Sequence, residues 1–465
     1  MPNPDFRIER DTLGDVHVPA AAYWGAQTQR AVENYPISGL RAHPALVQAH
    51  VMIKLACAHT NAALGKLDAA LADAIASACT QVLEGGHDEQ WVVDVFQAGA
   101  GTSFNMNTNE VLANLANEQL GHPPGTYKPV HPNDHVNMSQ STNDTFPTAM
   151  QLAAILLGTD LVEVLLELSD ALAAKGEEFD AVIKSGRTHL QDAVPIRLGQ
   201  EFMAYSLAVH RGAERLATAL DDCRELPLGG SAAGTGLNTH PEFAATAIEH
   251  LSEIADTELA PPPDLRAAMQ SMAPVANVSA ALRNLALELI RIANDLRLLA
   301  SGPRTGLGEI TLPAVQPGSS IMPGKVNPSM AECLNMVAMQ VVGCDATVAL
   351  AVQAGQLELN VMMPVMAHNV LFAMEILTNF LPVFTERCIA GITADADRCR
   401  RYFESSVGLA TLLNEHIGYA KAAEVAKESV KTGKTLRELI LEKGLMTAAD
   451  LDKALDPQRV TEPND

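Results

Sequence analysis

Apolar residues recur every three or four positions through most of the chain, the spacing that places them on one face of an α-helix. The clearest run extends over about five turns and contains Leu282, Leu285, Leu289, Ile292, Leu296 and Leu299. A second long helix is predicted from Pro147 into the 170s, with others over 44–64, 67–83, 195–226, 328–357 and 364–388. Amphipathic helices of this length are typical of a bundle.

Polar stretches interrupt this helical pattern at four places, 99–144, 186–195, 226–243 and 302–328. They are rich in Gly, Pro, Asn and Thr, which favour loops and helix caps over helix interiors. Binding and catalytic groups are often carried by loops on a rigid scaffold. We therefore expect the functional residues in these interruptions.

The composition favours closely packed helices. Of the 465 residues, 48% are hydrophobic but only 4% are aromatic, so the core is built mainly from Ala, Leu, Val and Met. The sequence predicts a mainly α fold with three domains. These are an N-terminal domain at 1–144, a central bundle of long helices at 145–397 and a small C-terminal helical domain at 398–465.

The formal net charge of -23 disfavours nucleic acids and anionic membranes as partners, because their phosphates would be repelled. A small anionic substrate must then be captured by a locally positive pocket. The seven cysteines are scattered without a CxxC pair, which favours a reducing cytoplasm. The charged N-terminus lacks the apolar run of a secretory signal, and no segment contains eighteen consecutive apolar residues. We therefore expect a cytoplasmic protein.

The interruptions offer hydroxyls, amides, one histidine and one lysine, without a nucleophile triad, a metal cage or a phosphate loop. Such donors suit a small polycarboxylate. Each also has a structural interpretation. As an alternative to binding a ligand, Thr102-Ser103 and Ser141-Thr142-Asn143 could each form a helix N-cap, which is an equally good interpretation. His189 could be a core histidine and Lys325 a surface lysine.

Five motifs nevertheless resemble those of the aspartase/fumarase superfamily, in the same order. They are GAGTSFNMNTNEVLAN (99–114), HPNDHVNMSQSTND (131–144), GRTHLQDAVPIRLGQEF (186–202), GTGLNTHPEF (234–243) and GSSIMPGKVNP (318–328). The resemblance implies a three-domain, mainly α fold and a β-elimination. In that reaction a base removes a proton next to a carboxylate, and the resulting enediolate expels ammonia or water.

The resemblance also implies roles for individual residues. Ser319 is the expected base on a mobile loop, with Ser320 the less favoured alternative, and Lys325 and Asn327 bind the carboxylate that becomes the enediolate. The residues expected to hold the second carboxylate and the leaving group are Thr102, Ser103, Ser141, Thr142, Asn143, Thr188 and His189. Glu332 is expected to support His189, unless it is a solvated helix residue. His131, Asn133 and Asp134 resemble a second anion site, although a loop-stabilising turn is as good an interpretation.

The motifs favour the aspartate ammonia-lyase branch, because Ser103 and Thr142 stand where fumarate hydratases tend to carry other residues. Class II fumarate hydratase is the alternative, and Met363 departs from both patterns. A non-enzymatic relative is a further alternative, disfavoured by the retained polar residues. The resemblance implies no cofactor or metal, and a homotetramer whose active sites combine loops from three subunits. Such a tetramer would cover an exposed apolar face between Leu282 and Leu299.

Overall fold

The computed structural model of the chain describes residues 5–463. Over these residues α-helices dominate, so the predicted mainly α fold is confirmed. The helices are α1 (Ala26–Asn34), α2 (Pro44–Ala63), α3 (Ala69–Leu83), α4 (Thr102–Gln119), α5 (Thr142–Glu178), α6 (Leu198–Asp221), α7 (Phe243–Ala255), α8 (Leu265–Gln270), α9 (Ala273–Leu299), α10 (Ser329–Val352), α11 (Met363–Phe384), α12 (Ala396–Ser405), α13 (Asn414–Ile417), α14 (Tyr419–Thr432), α15 (Leu436–Glu442), α16 (Ala448–Ala454) and α17 (Pro457–Val460).

The strands of the described chain form small antiparallel sheets of two strands each. Sequence reasoning did not predict them. They pair β1 (Phe6–Asp11) with β2 (Gly14–Pro19), β3 (Ile183–Thr188) with β4 (Gln191–Arg197), and β5 (Ile310–Thr311) with β6 (Thr393–Ala394). The second hairpin occupies a stretch that was predicted to be an irregular interruption followed by a helix from position 195.

Contacts between residues divide the chain into two compact, discontinuous units. The first unit contains the described residues up to Val162 together with Glu214–Asn284 and Gln340–Leu377. In it α2 packs against α3 and α7, and α3 packs against α4. Fully buried side chains in this unit include Ile53, Leu112, Leu115, Met150 and Phe243.

The second unit contains Glu163–Ala213, Leu285–Met339 and the described residues from Thr378 onward. Its C-terminal part has an apolar cluster of its own, in which α12, α14, α15 and α16 supply Phe403, Val425, Leu439, Ile440 and Leu451. Strand β3 packs against α12 and adds Ile183 to the cluster. The three domains placed at 1–144, 145–397 and 398–465 stay a prediction beside this division.

The long helices match their predicted positions, with differences at their ends. α5 begins at Thr142, five residues before Pro147, which lies inside the helix. As a result, Ser141, Thr142 and Asn143 stand at the start of α5 itself, where backbone N–H groups are unpaired.

The apolar face between Leu282 and Leu299 was expected to be exposed, and this expectation is wrong. Leu282, Leu285, Leu289, Ile292, Leu296 and Leu299 are all buried within the chain itself. The large exposed apolar residues of α9 are instead Leu287 and Leu298, on another side of the helix. A stripe at helical spacing marks the face that contacts the core, and here the chain's own helices supply that core.

Three helical segments are long and apolar enough, by length and composition alone, to cross a membrane: Thr142–Glu178, Ser329–Val352 and Met363–Ile389. Their most apolar windows are 56%, 39% and 44% buried within the chain. Between about two fifths and a little over half of each window is therefore used in the packing of the chain itself.

Candidate active site

Two helices of the first unit begin close together at residues implicated by the sequence. α4 begins at Thr102 and α5 at Thr142, and the side-chain amide of Asn105 donates a 3.0 Å hydrogen bond to Thr142 Oγ1. The rings of Phe104 and Phe146 pack edge to face with centroids 5.8 Å apart. Helix N-termini carry unpaired N–H groups and partial positive charge, so two adjacent ones suit a carboxylate.

The backbone just before α4 packs tightly against Phe146 of α5. Ala100 and Gly101 both have positive φ, and a Cβ on Gly101 would lie 2.1 Å from the Phe146 ring. Only glycine permits such a close approach in this conformation. Thr102 is exposed and its hydroxyl donates to the Gly99 carbonyl at 3.2 Å, whereas Ser103 is buried.

The start of α5 is held by the buried carboxylate of Asp144. It accepts hydrogen bonds from the backbone N–H of Ser141 at 2.9 Å, of Gly229 at 3.1 Å and of Ser231 at 2.9 Å. Burial raises the pKa of Asp144 to about 6, against the lowering effect of these amides. The Asp144 carboxylate thus links the glycine-rich stretch after position 226 to the segment from Ser141 to Asn143 by hydrogen bonds.

Within that segment the side chains also make local bonds. Ser141 Oγ accepts from the Asn143 N–H at 3.2 Å, which is the N-cap interaction considered from the sequence. The Asn143 amide donates to the Ala232 carbonyl at 2.9 Å. Capping and substrate binding are compatible, because a capping hydroxyl retains its own hydrogen as a donor.

Thr188 and His189 lie at the tip of the β3–β4 hairpin in the second unit. Thr188 pairs with Gln191, which leaves His189 and Leu190 as a two-residue turn with φ of 55° and 60°. Two successive positive φ values are those of a type I′ turn, which normally prefers Asn and Gly. His189 is exposed in this turn, so its interpretation as a core histidine is wrong.

A buried ionic cluster anchors this hairpin. The Glu309 carboxylate, fully buried, lies 2.6 Å from Lys184 Nζ and 2.8 Å from Arg187 Nη1. Lys184 also pairs with Glu201 at 2.9 Å. Because Arg187 immediately precedes Thr188, the cluster fixes the strand that carries the candidate site residues.

The loop before α10 carries the expected base in the same unit. Ser319 Oγ accepts the backbone N–H groups of Ile321 at 3.2 Å and Met322 at 3.0 Å. Ser319 and Lys325 line one surface cavity of about 490 Å³. Two amide donors and a nearby cation are the surroundings that stabilise negative charge on a serine oxygen.

The two ends of this loop are held together. Asn327 donates its side-chain amide to the Gly318 carbonyl at 2.7 Å, and a Cβ on Gly318 would lie 2.2 Å from the Lys325 carbonyl oxygen. Ser320 and Lys325 are exposed, and Lys325 and Asn327 also line a cavity of about 600 Å³. The loop therefore presents these polar side chains while its ends stay fixed.

Glu332 lies in the first turn of α10 and is half-buried. Over residues 5–463 its carboxylate makes no hydrogen bond or ion pair, so its support of His189 stays a prediction. His131 behaves as an N-cap, since its Nδ1 accepts from the N–H groups of Asn133 and Asp134 at 3.2 Å each. A second anion site at these three residues also stays a prediction.

In the described part of the chain, no group of three or more His, Cys, Asp or Glu side chains is arranged to hold a metal ion. The candidate site residues are mainly hydroxyls and amides, together with the ammonium group of Lys325, and these groups donate hydrogen bonds to anions. This donor set fits carboxylate recognition.

The family model described as Lyase matches residues 14–343, and that described as Fumarase C C-terminus matches residues 409–462. The chain belongs to the aspartase/fumarase superfamily of lyases. The resemblance drawn from the five motifs is confirmed, and so is the prediction that the protein is a lyase enzyme.

Relatives in this superfamily include both candidate kinds of enzyme. An aspartate ammonia-lyase of a Bacillus species is 47% identical over 461 residues, covering 99% of this chain and 98% of the relative. A class II fumarate hydratase of Corynebacterium efficiens is 48% identical over 463 residues, covering 98% and 96%. A crystal structure of a fumarate lyase:delta crystallin from Brucella melitensis bound to cobalt matches with a TM-score of 0.96 and 48% identity, covering 98% of this chain and 100% of that one. Because relatives with either activity are about equally similar to this chain, the comparisons establish the family and not the substrate.

The sequence analysis missed buried polar residues that form hydrogen bonds with residues of the superfamily motifs. Lys54 in α2 and Asn105 in α4 are buried, and both belong to the network that reaches Thr142. The available signal was a lysine inside a strongly apolar helix. Lysine is almost never fully buried unless it has partners, so its position indicated a polar network in the core.

Proposed function

We propose that the protein is an aspartate ammonia-lyase, which converts L-aspartate reversibly to fumarate and ammonia. The observation that carries the proposal is the position of Ser319 Oγ, which receives two backbone N–H groups in a loop shared with Lys325 and Asn327. This is an arrangement for holding an alkoxide, and an alkoxide base is what a β-elimination next to a carboxylate requires.

In the proposed reaction Ser319 removes a proton from the carbon next to one carboxylate of the substrate. Charge then accumulates on that carboxylate as it becomes an enediolate. Lys325 and Asn327 supply a cation and an amide donor where this charge develops, so they bind the transition state more strongly than the substrate. Collapse of the enediolate breaks the bond from carbon to nitrogen and releases ammonia.

The remaining site residues hold the rest of the substrate. Thr102, Ser141, Thr142 and Asn143 lie where two helices begin, and their hydroxyl and amide groups suit the second carboxylate. Thr188 and His189 are exposed at the tip of the β3–β4 hairpin, and we assign them to the leaving group. The donors and helix N-termini named above favour a dianion although the chain is strongly acidic, because each contributes locally positive potential.

The choice of ammonia over water rests on Ser103 and Thr142, which stand in positions where fumarate hydratases tend to carry other residues. Fumarate hydratase is the second candidate, supported by the 48% identity to a class II enzyme. Met363 is fully buried at the start of α11, so it contributes apolar packing and no charge. The leaving group must therefore be selected by polar residues elsewhere.

The proposal includes a homotetramer with shared active sites, no cofactor or metal, and a cytoplasmic location. Exposed apolar side chains on long helices support assembly, among them Leu287 of α9 and Met336 and Leu350 of α10. All seven cysteines are unpaired, which fits a reducing compartment. The net charge of -23 supports the absence of nucleic-acid and membrane partners.

A parallel assay with L-aspartate and L-malate tests the proposal. Fumarate formation is followed by ultraviolet absorbance, and released ammonia is measured separately. We expect fumarate and ammonia in equal amounts from L-aspartate and little turnover of L-malate. Fumarate from L-malate alone would instead establish the hydratase, and no turnover of either would favour a non-enzymatic relative.

The base is tested by comparing two neighbouring serines. Ser319→Ala removes the oxygen that receives the two amide hydrogen bonds, so kcat should fall by about a thousandfold or more. Ser320→Ala changes an exposed neighbour of the same type and should lose much less. Full activity of Ser319→Ala, or the reverse order of the two losses, would move the base away from Ser319.

A further inference from the structure

A lysine with no exposed surface lies in the middle of α2 in the first unit. Lys54 donates from Nζ to Asn105 Oδ1 at 2.8 Å, to Gln140 Oε1 at 2.9 Å and to Asn137 Oδ1 at 3.1 Å. These three bonds use all the hydrogens of the ammonium group. Burial of a cation is costly without such partners, so the network is a built feature of the core.

The lysine determines how its amide partners are oriented. An ammonium group only donates, and each amide must therefore turn its oxygen toward Nζ. The NH₂ group of Asn105 is then directed away from Lys54, where it donates to Thr142 Oγ1 at 3.0 Å and to Asn137 Oδ1 at 3.2 Å. The orientation of the Asn105 amide is thus set by Lys54 on its oxygen side and by Thr142 and Asn137 on its nitrogen side.

This orientation decides what the Thr142 hydroxyl offers to a ligand. A hydroxyl that accepts a hydrogen bond from an amide keeps its own hydrogen for another acceptor. No acceptor for that hydrogen is found among residues 5–463. With the Asn105 amide reversed, Thr142 would donate to Asn105 and would present only lone pairs, which repel a carboxylate.

The charges around Lys54 are consistent with this arrangement. Burial lowers the pKa of Lys54 to about 8, so the group is mostly protonated at neutral pH. The carboxylate of Asp144 opposes this lowering, and Asp144 in turn accepts the Ser141 N–H. Gln140, another partner of Lys54, immediately precedes Ser141. The buried cation is therefore connected to the start of α5 through Gln140, Asn105 and Asp144.

We propose that Lys54 is a positioning residue for the dicarboxylate substrate, which acts through the Asn105 amide to make the Thr142 hydroxyl a hydrogen-bond donor to a substrate carboxylate. The proposal rests on the proposed function in taking that anion to be the substrate. It holds for L-aspartate and L-malate alike, because both carry the same two carboxylates.

The central test is Asn105→Asp. The new carboxylate still accepts from Lys54, and it adds a favourable charge beside the cation, but it has no hydrogen to donate to Thr142 or to Asn137. We expect kcat/KM to fall about tenfold or more, mainly through a higher KM, while the melting temperature stays near that of the wild type. Wild-type kcat/KM in Asn105→Asp would overturn the proposal.

Lys54→Met and Thr142→Val complete the test. Each substitution abolishes the hydrogen bond that the Thr142 hydroxyl donates to the substrate. Adding Lys54→Met to Thr142→Val should therefore lower kcat/KM by less than about twofold further. Losses that multiply in full would show that Lys54 acts by another route. Lys175→Met is the matched control, because Lys175 is also buried and, among the described residues, contacts Glu178, the Ile392 carbonyl and the Phe179 ring, none of which is a candidate site residue. Its kcat/KM should stay near the wild-type value.

A binding measurement separates this proposal from the proposed function. The unreactive dicarboxylate succinate should raise the melting temperature of the wild type, and Asn105→Asp should lose most of this rise. If the wild type turns over neither substrate, the proposed function fails and the succinate shift still decides the role of Lys54. An unchanged shift in Asn105→Asp would refute that role, and this variant serves even if Lys54→Met does not fold.

Discussion

At the scale of single residues, Ser319 is defined by the backbone around it. A serine oxygen becomes a useful base only where its alkoxide is stabilised, and the N–H groups of Ile321 and Met322 already point at it. The loop can take this shape because Gly318 lets the chain pass close to Lys325 and Asn327. The proposed catalytic geometry therefore depends on a residue that has no side chain.

Gly318→Ala tests this dependence. The added Cβ would lie 2.2 Å from the Lys325 carbonyl oxygen and 2.7 Å from the Asn327 nitrogen, so the loop must open and Ser319 must move. We expect kcat to fall about 100-fold, the loss that a displacement of about 1 Å produces. Steady-state kinetics and a thermal melt on the same sample measure the effect, and the melting temperature should change little.

Gly324→Ala is the control for Gly318→Ala in the same loop. Gly324 has φ of 79° but open space around it, so alanine there meets conformational strain and no clash. Its kcat should fall less than that of Gly318→Ala. Equal losses would indicate that the loop responds to stiffness and not to the close approach at Gly318.

The motifs predicted candidate site residues but not how the structure holds them. Ser319, Lys325 and His189 were identified because their neighbours in sequence are distinctive. Lys54 and Asn105 were missed, because the bonds between them join helices that are distant in sequence. A single sequence carries no local pattern for such a contact, apart from the unusual lysine in an apolar helix.

At the scale of elements, the long helices were predictable and the hairpins were not. A periodicity of 3.6 residues sustained over many turns is a strong signal, so α9, α10 and α11 lie close to their predicted positions. The β3–β4 hairpin lacks an Asn-Gly or Gly-rich turn, and its tip is His189 and Leu190 in left-handed conformation. Local preference therefore does not explain this exposed turn, whereas the ion pairs of Lys184 and Arg187 with Glu309 hold the strand that leads into it.

Glu309→Gln tests how the hairpin is maintained. The substitution removes the buried negative charge between Lys184 and Arg187 and leaves those two cations facing each other with less compensation. We expect the free energy of unfolding to fall by about 3 kcal/mol, as for other broken buried ion pairs. Chemical denaturation monitored by circular dichroism provides the measurement.

The matched control for Glu309→Gln is Glu178→Gln. Glu178 pairs with Lys175 at 2.7 Å, but the Glu178 side chain is 53% exposed, so water replaces the lost contact. The stability should change by less than about 1 kcal/mol. If the two substitutions had the same small effect, the cluster around Glu309 would not be what holds the hairpin.

At the scale of the whole molecule, the candidate residues fall into two sets. Thr102, Ser103 and the segment from Ser141 to Asn143 belong to the first unit. Thr188, His189 and the loop from Gly318 to Pro328 belong to the second. The superfamily resemblance predicts that an active site takes its loops from several subunits, and a tetramer would also cover the exposed apolar side chains of α9 and α10.

Mixing two inactive variants tests this assembly. Thr142→Val impairs the first set and Ser319→Ala the second, so each homotetramer should be nearly inactive. If a site takes these residues from different subunits, random hybrids contain about a quarter of sites with both residues intact. We therefore expect fumarate formation to return toward about a quarter of the wild-type rate after the two are unfolded and refolded together. Sites built within single subunits would give no recovery, and light scattering would establish whether the particle contains four chains.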